Sequence, residues 1–214
     1  MQILAGMSRE SPADPRASLH RALIDLCFER AFAELGVEDL CRRAGVERAE
    51  FDRRYADLED CFCQVYEQLA AEFLTRIEAA YQGEQGWRKQ LRAAAYTCLY
   101  HLEEDPARAH FTVLEALTAG ERARLISDRV LARLSSYLDR GRQQPGAPAS
   151  LSPNTAEALN GAVFHQMLSA IANDQYDRFA EFLPELMYAA VLPYVGPEAA
   201  AEELAIGPPT PSLR

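Results

Sequence analysis

Apolar residues along this chain recur every three or four positions almost from end to end, and nowhere in a useful length of strict alternation. Val37, Leu40, Cys41 and Ala44 stand at i, i+3, i+4 and i+7, which is one buried face of a short helix. Gly45 follows, where a glycine can take the left-handed conformation that ends a helix. A second short helix is expected from about Glu47 to Tyr55, with Phe51 and Tyr55 turned inward. Upstream, Asp14 and Pro15 read as the N-cap and first residue of a longer helix. Its face of Leu19, Ala22, Leu23, Leu26, Cys27, Ala31 and Phe32 would cover the inner sides of the two short helices. Two short helices joined by a glycine turn form a helix-turn-helix, whose second helix enters a DNA major groove.

From Leu58 a much longer periodic segment begins. Cys61, Phe62, Val65, Tyr66, Leu69, Phe73, Leu74, Ile77, Ala80 and Tyr81 share one broad face before Gly83 and Gly86 break it. Further helices are expected over Trp87 to Leu102, Pro106 to Thr118 and Leu125 to Leu138. Arg142 to Pro153 (RQQPGAPASLSP) reads as an internal linker. Beyond it come a helix over Ala156–Ala172, capped by Asn154 or Thr155, and one over Asp177–Tyr194 with a kink at Pro184. The expected fold is all-α, with about nine helices. A three-helix unit over 16–62 would follow a disordered arm at 1–15, and a helical domain over 63–206 would precede a disordered tail at 207–214.

The last two helices are apolar around more of their circumference than one contact needs. A second copy packing against Val163, Met167, Ile171, Phe179, Leu183, Leu186, Met187 and Ala190 would bury the surplus in a two-fold four-helix bundle.

Charge and cysteine content modify this picture. The 214 residues carry a formal net charge of −10. Segment 16–62 holds eight arginines against eleven carboxylates, so any basic footprint for nucleic acid must be local. No apolar run approaches the roughly 18–20 residues that cross a bilayer, and the chain reads as cytoplasmic. Five scattered cysteines suggest reduced thiols. Cys27 and Cys41 take core positions. Cys61 and Cys63 fall in the first turn of the long helix, where the helix dipole favours a thiolate, and a redox sensor there competes with simple packing.

Leu40-Cys41, Ala44-Gly45-Val46, Phe51, Tyr55 and Glu59-Asp60 carry a family resemblance. From Leu19 to about Phe62 the chain resembles the N-terminal DNA-binding domain of TetR-type transcriptional regulators. The resemblance implies a repressor that binds a palindromic operator as a dimer and is released by a small-molecule inducer. Carried onto this sequence, its DNA contacts would come from Gly36, Val37, Arg42, Arg43, Arg48, Ala49, Glu50, Arg53, Arg54 and Tyr55. Arg48 and Arg53 suit guanine edges or phosphates, Ala49 a thymine methyl and Glu50 a cytosine amino group, while Arg42, Arg43 and Arg54 suit phosphates. The chain departs from the family's pattern at Gly36, which replaces a Thr or Ser cap, at Asp52, where Tyr is common, and at Leu58, where Lys is usual.

For the inducer, aromatics with a few polar groups are what an apolar pocket needs, and Trp87, Tyr96, Tyr100, His101, His110, Phe111, Glu115, Phe164 and His165 are the candidates. No histidine pair has the i, i+4 spacing of helical metal ligands, so neither metal nor cofactor is expected. No nucleophile elbow or phosphate loop suggests an enzyme. The expected partners are double-stranded operator DNA, a largely apolar inducer and a second copy of the chain. A different class stays open: a helical ligand-binding or interaction dimer whose helix-turn-helix no longer holds DNA tightly.

Overall fold

A computed structural model describes residues 14–207. The arm and tail expected at the ends fall outside these residues, apart from 14, 15 and 207. Among the described residues every regular element is helical, and no helix is long and apolar enough to cross a membrane.

Helix α1 spans Pro15–Glu29, with Pro15 in its first turn and the Asp14 carboxylate accepting from the Arg16 N–H at 3.1 Å. It stops earlier than the apolar spacing suggested, because Arg30 is extended. Ala31 is therefore exposed, and Phe32 opens a short 3₁₀ turn, Phe32–Glu34, that swings its ring onto the next layer. Helix α2, Val37–Ala44, begins at Gly36, whose N–H donates to the Asp39 carboxylate at 3.3 Å. It ends at Gly45 with φ of 66°, a conformation that costs a side chain dearly and glycine nothing.

Helix α3 covers only Arg48–Asp52. Arg53 and Arg54 already belong to the turn into the long helix, and Asp57 caps that helix by accepting from the Asp60 N–H at 2.7 Å. Helix α4 then runs unbroken through Leu58–Gln82. Helix α5 is Trp87–Glu104, and Asp105 caps α6, Pro106–Ala109, accepting from the Arg108 N–H at 3.1 Å.

The single helix expected over 106–118 is three elements. After α6 comes a wide π turn, His110–Leu114, and then a 3₁₀ turn, Glu115–Leu117. Helix α7 spans Glu121–Asp139 and is extended by a 3₁₀ turn, Arg140–Gln143. Helix α8 is Thr155–Ala172, and a 3₁₀ turn, Phe179–Phe182, leads into α9, Leu183–Leu204. Pro184 does not kink the last helix. It sits in the first turn of α9, where a missing N–H has no partner to lose. The break comes instead at Gly196, with φ of 79°, between Pro193 and Pro197.

These elements enclose two cores. The first joins α1–α3 and the N-terminal half of α4 to Phe111, Ala116, Ala119, Ala123 and Ile126. The second holds the rest of α4 with α5, α7, α8 and α9. Helix α4 supplies both, from Cys61 to Ala70 in one and with Ile77 and Tyr81 in the other. Phe62, fully buried, stands where the first core meets the second half of the chain. Its ring stacks on Phe111 at 4.2 Å and lies 4.8 Å from Phe32. Phe62→Ala is expected to destabilise the protein by about 3–5 kcal/mol, the range for emptying a buried aromatic site. Phe28→Ala, at a ring 44% exposed, should cost far less. Urea unfolding followed by circular dichroism measures both.

Candidate DNA-reading surface and small-molecule cavity

The outer surface of α2, the Gly45 turn and α3 exposes Arg42, Arg43, Arg48, Ala49, Arg53 and Arg54 together, with Gly36, Val37 and Glu50 half-buried beside them. Every one of these arginines has a carboxylate partner. Arg48 bonds Asp52 at 2.8 Å and Glu38 at 2.5 Å, Arg43 grips Glu29 with both terminal nitrogens, and Arg42 meets Asp39 at 3.1 Å. Glu50 takes both Arg53 and Arg54. Its carboxylate is thereby taken up by two guanidiniums one turn further along the chain. Hydrogen bonding to these carboxylates holds the Arg43 and Arg48 guanidiniums above their ordinary pKa. Exposed pairs of this kind are worth about 0–1 kcal/mol each, so a phosphate can replace a carboxylate at little cost.

Tyr55 is not on this surface. Its ring is 3% exposed, packs 5.2 Å from Phe51, and its hydroxyl meets His20 Nε2 at 2.9 Å. The turn after α3 carries it inward, and burial pushes its hydroxyl up to about 12.

The second core contains a cavity of about 250 Å³ bounded by α4, α5, α7, α8 and α9. Leu91, Ala94, Cys98, Leu134, Leu138, Val163, Met167, Leu186 and Ala190 are among its apolar lining, and Asn160, Gln166, Glu185 and Tyr137 bring polar groups to it. A smaller space of about 110 Å³ adjoins it, reaching Tyr66, Phe73, His101, Thr112, Val113 and Phe164. Of the nine residues expected to hold a ligand, only His101 and Phe164 line either space.

The other aromatics serve as joints. Trp87 donates its indole N–H to the Tyr137 carbonyl at 2.9 Å and sits edge-on to Tyr194. Phe111 is the stacking partner of Phe62. Tyr96 and Tyr100 lie against each other on the outer side of α5, and His165 is exposed on α8. The residues expected at a dimer contact also move inward. Met167, Ile171, Phe179, Leu183, Met187 and Ala190 are buried within the single chain, and Val163 and Leu186 are half-buried on the cavity wall. A helix apolar all round gives no phase to its pattern, so spacing alone could not say which stripe faces the protein's own core. A signal for the cavity was nonetheless present. Asn160 stands alone on an apolar stripe with Val163 and Met167, at i, i+3 and i+7.

His110 and Glu115 sit at the junction of the two cores. Glu115, 8% exposed, accepts from the Phe32 N–H at 2.8 Å, across 83 residues of sequence. Its other oxygen lies 3.4 Å from His110 Nε2, while His110 Nδ1 is 3.2 Å from the Tyr176 hydroxyl. The π turn thus sends Phe111 toward the first core and Thr112 and Val113 toward the smaller space, with Glu115 bonding to the first core just beyond it. Among the described residues no cluster of three or more histidine, cysteine, aspartate or glutamate side chains is arranged to hold a metal.

Neither a family model nor a curated protein matches this sequence. Solved structures match its fold. FadR from Bacillus subtilis, a transcriptional regulator solved in complex with stearoyl-CoA, is 16% identical with a TM-score of 0.73, over 83% of this chain and 98% of its own. A TetR family transcription regulator from Marinobacter aquaeolei VT8 is 15% identical with a TM-score of 0.64, over 83% of this chain and 93% of its own. RolR, solved with the ligand resorcinol, is 16% identical with a TM-score of 0.61, over 92% and 96%. The chain has the fold of TetR-type transcriptional regulators: a helix-turn-helix unit followed by a larger helical domain.

Thiol chemistry at the start of α4 runs opposite to the dipole expectation. Cys61 and Cys63 are buried, and burial pushes the Cys61 thiol up to about 12 and raises that of Cys63 as well. Cys98, beside the cavity, is pushed up to about 12 by the same cause. At pH 8, Cys61 should therefore react with a disulfide reagent such as Ellman's only at the rate of unfolding, measured against the denatured chain.

Proposed function

We propose that this protein is a ligand-responsive transcriptional regulator of TetR type, acting as a repressor. Two copies would place their α2–α3 units on the half-sites of a palindromic operator, one DNA turn of roughly 34–36 Å apart or a multiple of it. A small molecule in the cavity would select a conformation in which those units are wrongly spaced, and release the DNA. The observation that carries this reading is α4. One unbroken helix holds Phe62 in the core beneath the helix-turn-helix and presents Ile77 to the cavity wall. The π turn gives a second route, since Val113 borders the smaller space and Glu115 grips the Phe32 backbone.

The second copy would lie on the outward faces of α8 and α9. Ala158, Gly161, Ala162, His165 and Ser169 are exposed on α8, and Tyr188, Leu192 and Val195 are only half-buried on α9. Gly161 costs about 1 kcal/mol against alanine within a helix, yet beyond the local backbone of its own helix nothing comes within 4 Å of where its Cβ would be. Close approach by a second chain is a use for that open ground. Gly161→Arg is expected to convert the dimer to monomer, with the cavity intact, in sedimentation equilibrium.

Fluorescence anisotropy against DNA from the flanking intergenic region, across a salt series, tests the reading itself. Sequence-dependent binding with a negative salt slope is the expected outcome. Arg53→Ala should weaken it by at least about 1 kcal/mol, the low end for a lost base contact. Glu50→Gln frees Arg53 and Arg54 and should tighten binding, steepening the slope by about 0.9 for each further phosphate neutralised. The pairing of every reading-surface arginine with a carboxylate favours one rival, a helical ligand-binding dimer that has lost its DNA. Binding no better than to random DNA at low salt would establish the rival.

A further inference from the structure

The two spaces in the second core share Cys98, Leu134, Asn160, Val163 and Met167, so they are neighbouring chambers of one elongated site. Their walls are apolar, and among the described residues no arginine or lysine lines either chamber. The groups that can recognise a ligand are few enough to take singly.

Asn160 is 8% exposed and borders both chambers. Its amide nitrogen donates to the Leu131 carbonyl at 2.9 Å and to the Ser135 hydroxyl at 3.2 Å. A main-chain carbonyl only accepts, so the amide cannot be turned the other way round. Both its N–H groups are therefore used within the protein. The Asn160 Oδ1 remains, and nothing among the described residues donates to it. It is not sealed in, the one fully enclosed unpartnered side-chain atom among the described residues being the Tyr194 hydroxyl, so an acceptor on the wall of both chambers stands open to a ligand's O–H or N–H.

His101 lines the smaller chamber, and its Nδ1 lies 3.2 Å from Arg76 Nη1. A guanidinium only donates, so Nδ1 accepts. Burial, with Arg76 adding to it, lowers the imidazole pKa and so favours the neutral ring, whose proton the Arg76 contact leaves to Nε2. That is a donor without a charge, and Arg76 behind it is already paired with Glu104 at 2.9 Å. Glu185 stands exposed at the mouth of the larger chamber. The site thus offers an open acceptor, a neutral imidazole, the Gln166 amide and a carboxylate, and no countercharge for an anion. A desolvated anion without a partner is heavily penalised.

We propose that the effector of this site is a neutral or amine-bearing apolar molecule that donates a hydrogen bond to Asn160 Oδ1, and that the site refuses carboxylates and anionic thioesters of the stearoyl-CoA kind. This rests on the reading of the cavity as the effector site. It also separates the chain by ligand chemistry from a regulator whose fold it shares.

Isothermal titration of the full-length protein with octanol, octylamine, octanoate and octyl methyl ether tests it, because the four share an unbranched alkyl chain and differ at the head group, chiefly in charge and donor. Octanol and octylamine should bind at least tenfold tighter than octanoate or the ether. Glu185→Gln should lower octylamine affinity relative to octanol, and Asn160→Leu should bring octanol and the ether together. Should Asn160→Leu fail to fold by circular dichroism, the ligand series and the exposed Glu185 variant decide the matter. Octanoate binding as tightly as octanol, the ether matching octanol on the unaltered protein, or no binding by any of the four would overturn the proposal. If octanol binds in the expected order but leaves operator DNA in place, the regulator reading fails and the ligand class stands. Octanoate that binds and releases DNA does the reverse.

Discussion

The stacking of Phe62 on Phe111 is the contact on which the arrangement depends. Phe62 belongs to the first turns of α4 and Phe111 to the π turn some fifty residues on, and both are wholly buried. Through that pair the three N-terminal helices share one core with the segment that walls the smaller chamber. A core packed to the density of a crystal does not deform gradually. A displacement of α4 beside the cavity must therefore either carry the N-terminal unit along or break this stack. The Glu115 bond to the Phe32 backbone, close to the same rings, adds direction to the constraint.

Much of the architecture was readable before any coordinates, wherever a local signal had a single meaning. Asp14 followed by Pro15, Gly45 after an apolar stripe, and the glycines closing α4 each mark an end that backbone chemistry dictates. Other positions had two meanings, and tertiary packing chose between them. Pro184 can kink a helix or start one. The stretch from Pro106 to Thr118 has helical spacing, but its backbone widens and then tightens so that Phe111 and Glu115 can reach the first core. Tyr55 keeps the spacing of α3 without belonging to it.

The ligand site was less legible than the fold, for a reason rooted in size. Trp87 and Phe111 are large enough to be wanted at joints between helices, and packing claimed them there. Much of what lines the hollow is leucine, alanine, valine and methionine, residues indistinguishable in sequence from ordinary core. Asn160 stands out among them, and its meaning depends on Leu131 and Ser135, which no local spacing brings to mind. The electrostatics were legible in outline. The excess of carboxylates over arginines in 16–62 appears in the structure as Glu29, Glu38, Asp39, Glu50 and Asp52 each holding an arginine of the exposed surface. The surface thereby carries its own counterions, attached to the same scaffold as the cations they balance.

The π turn at His110–Leu114 has a geometric consequence of another kind. It spends about one residue more than an α-helical turn, so the helices on either side are out of phase by roughly 100°. Losing one residue here would let the stretch close into a regular α-helix with its hydrogen bonds intact. The flanks would survive, but every side chain beyond the deletion would rotate to a new bearing. Positions now turned toward Phe62 and positions now turned toward the hollow would exchange partners. The segment works like the offset in a cam, where one tooth more or less leaves the shaft whole and changes what it drives.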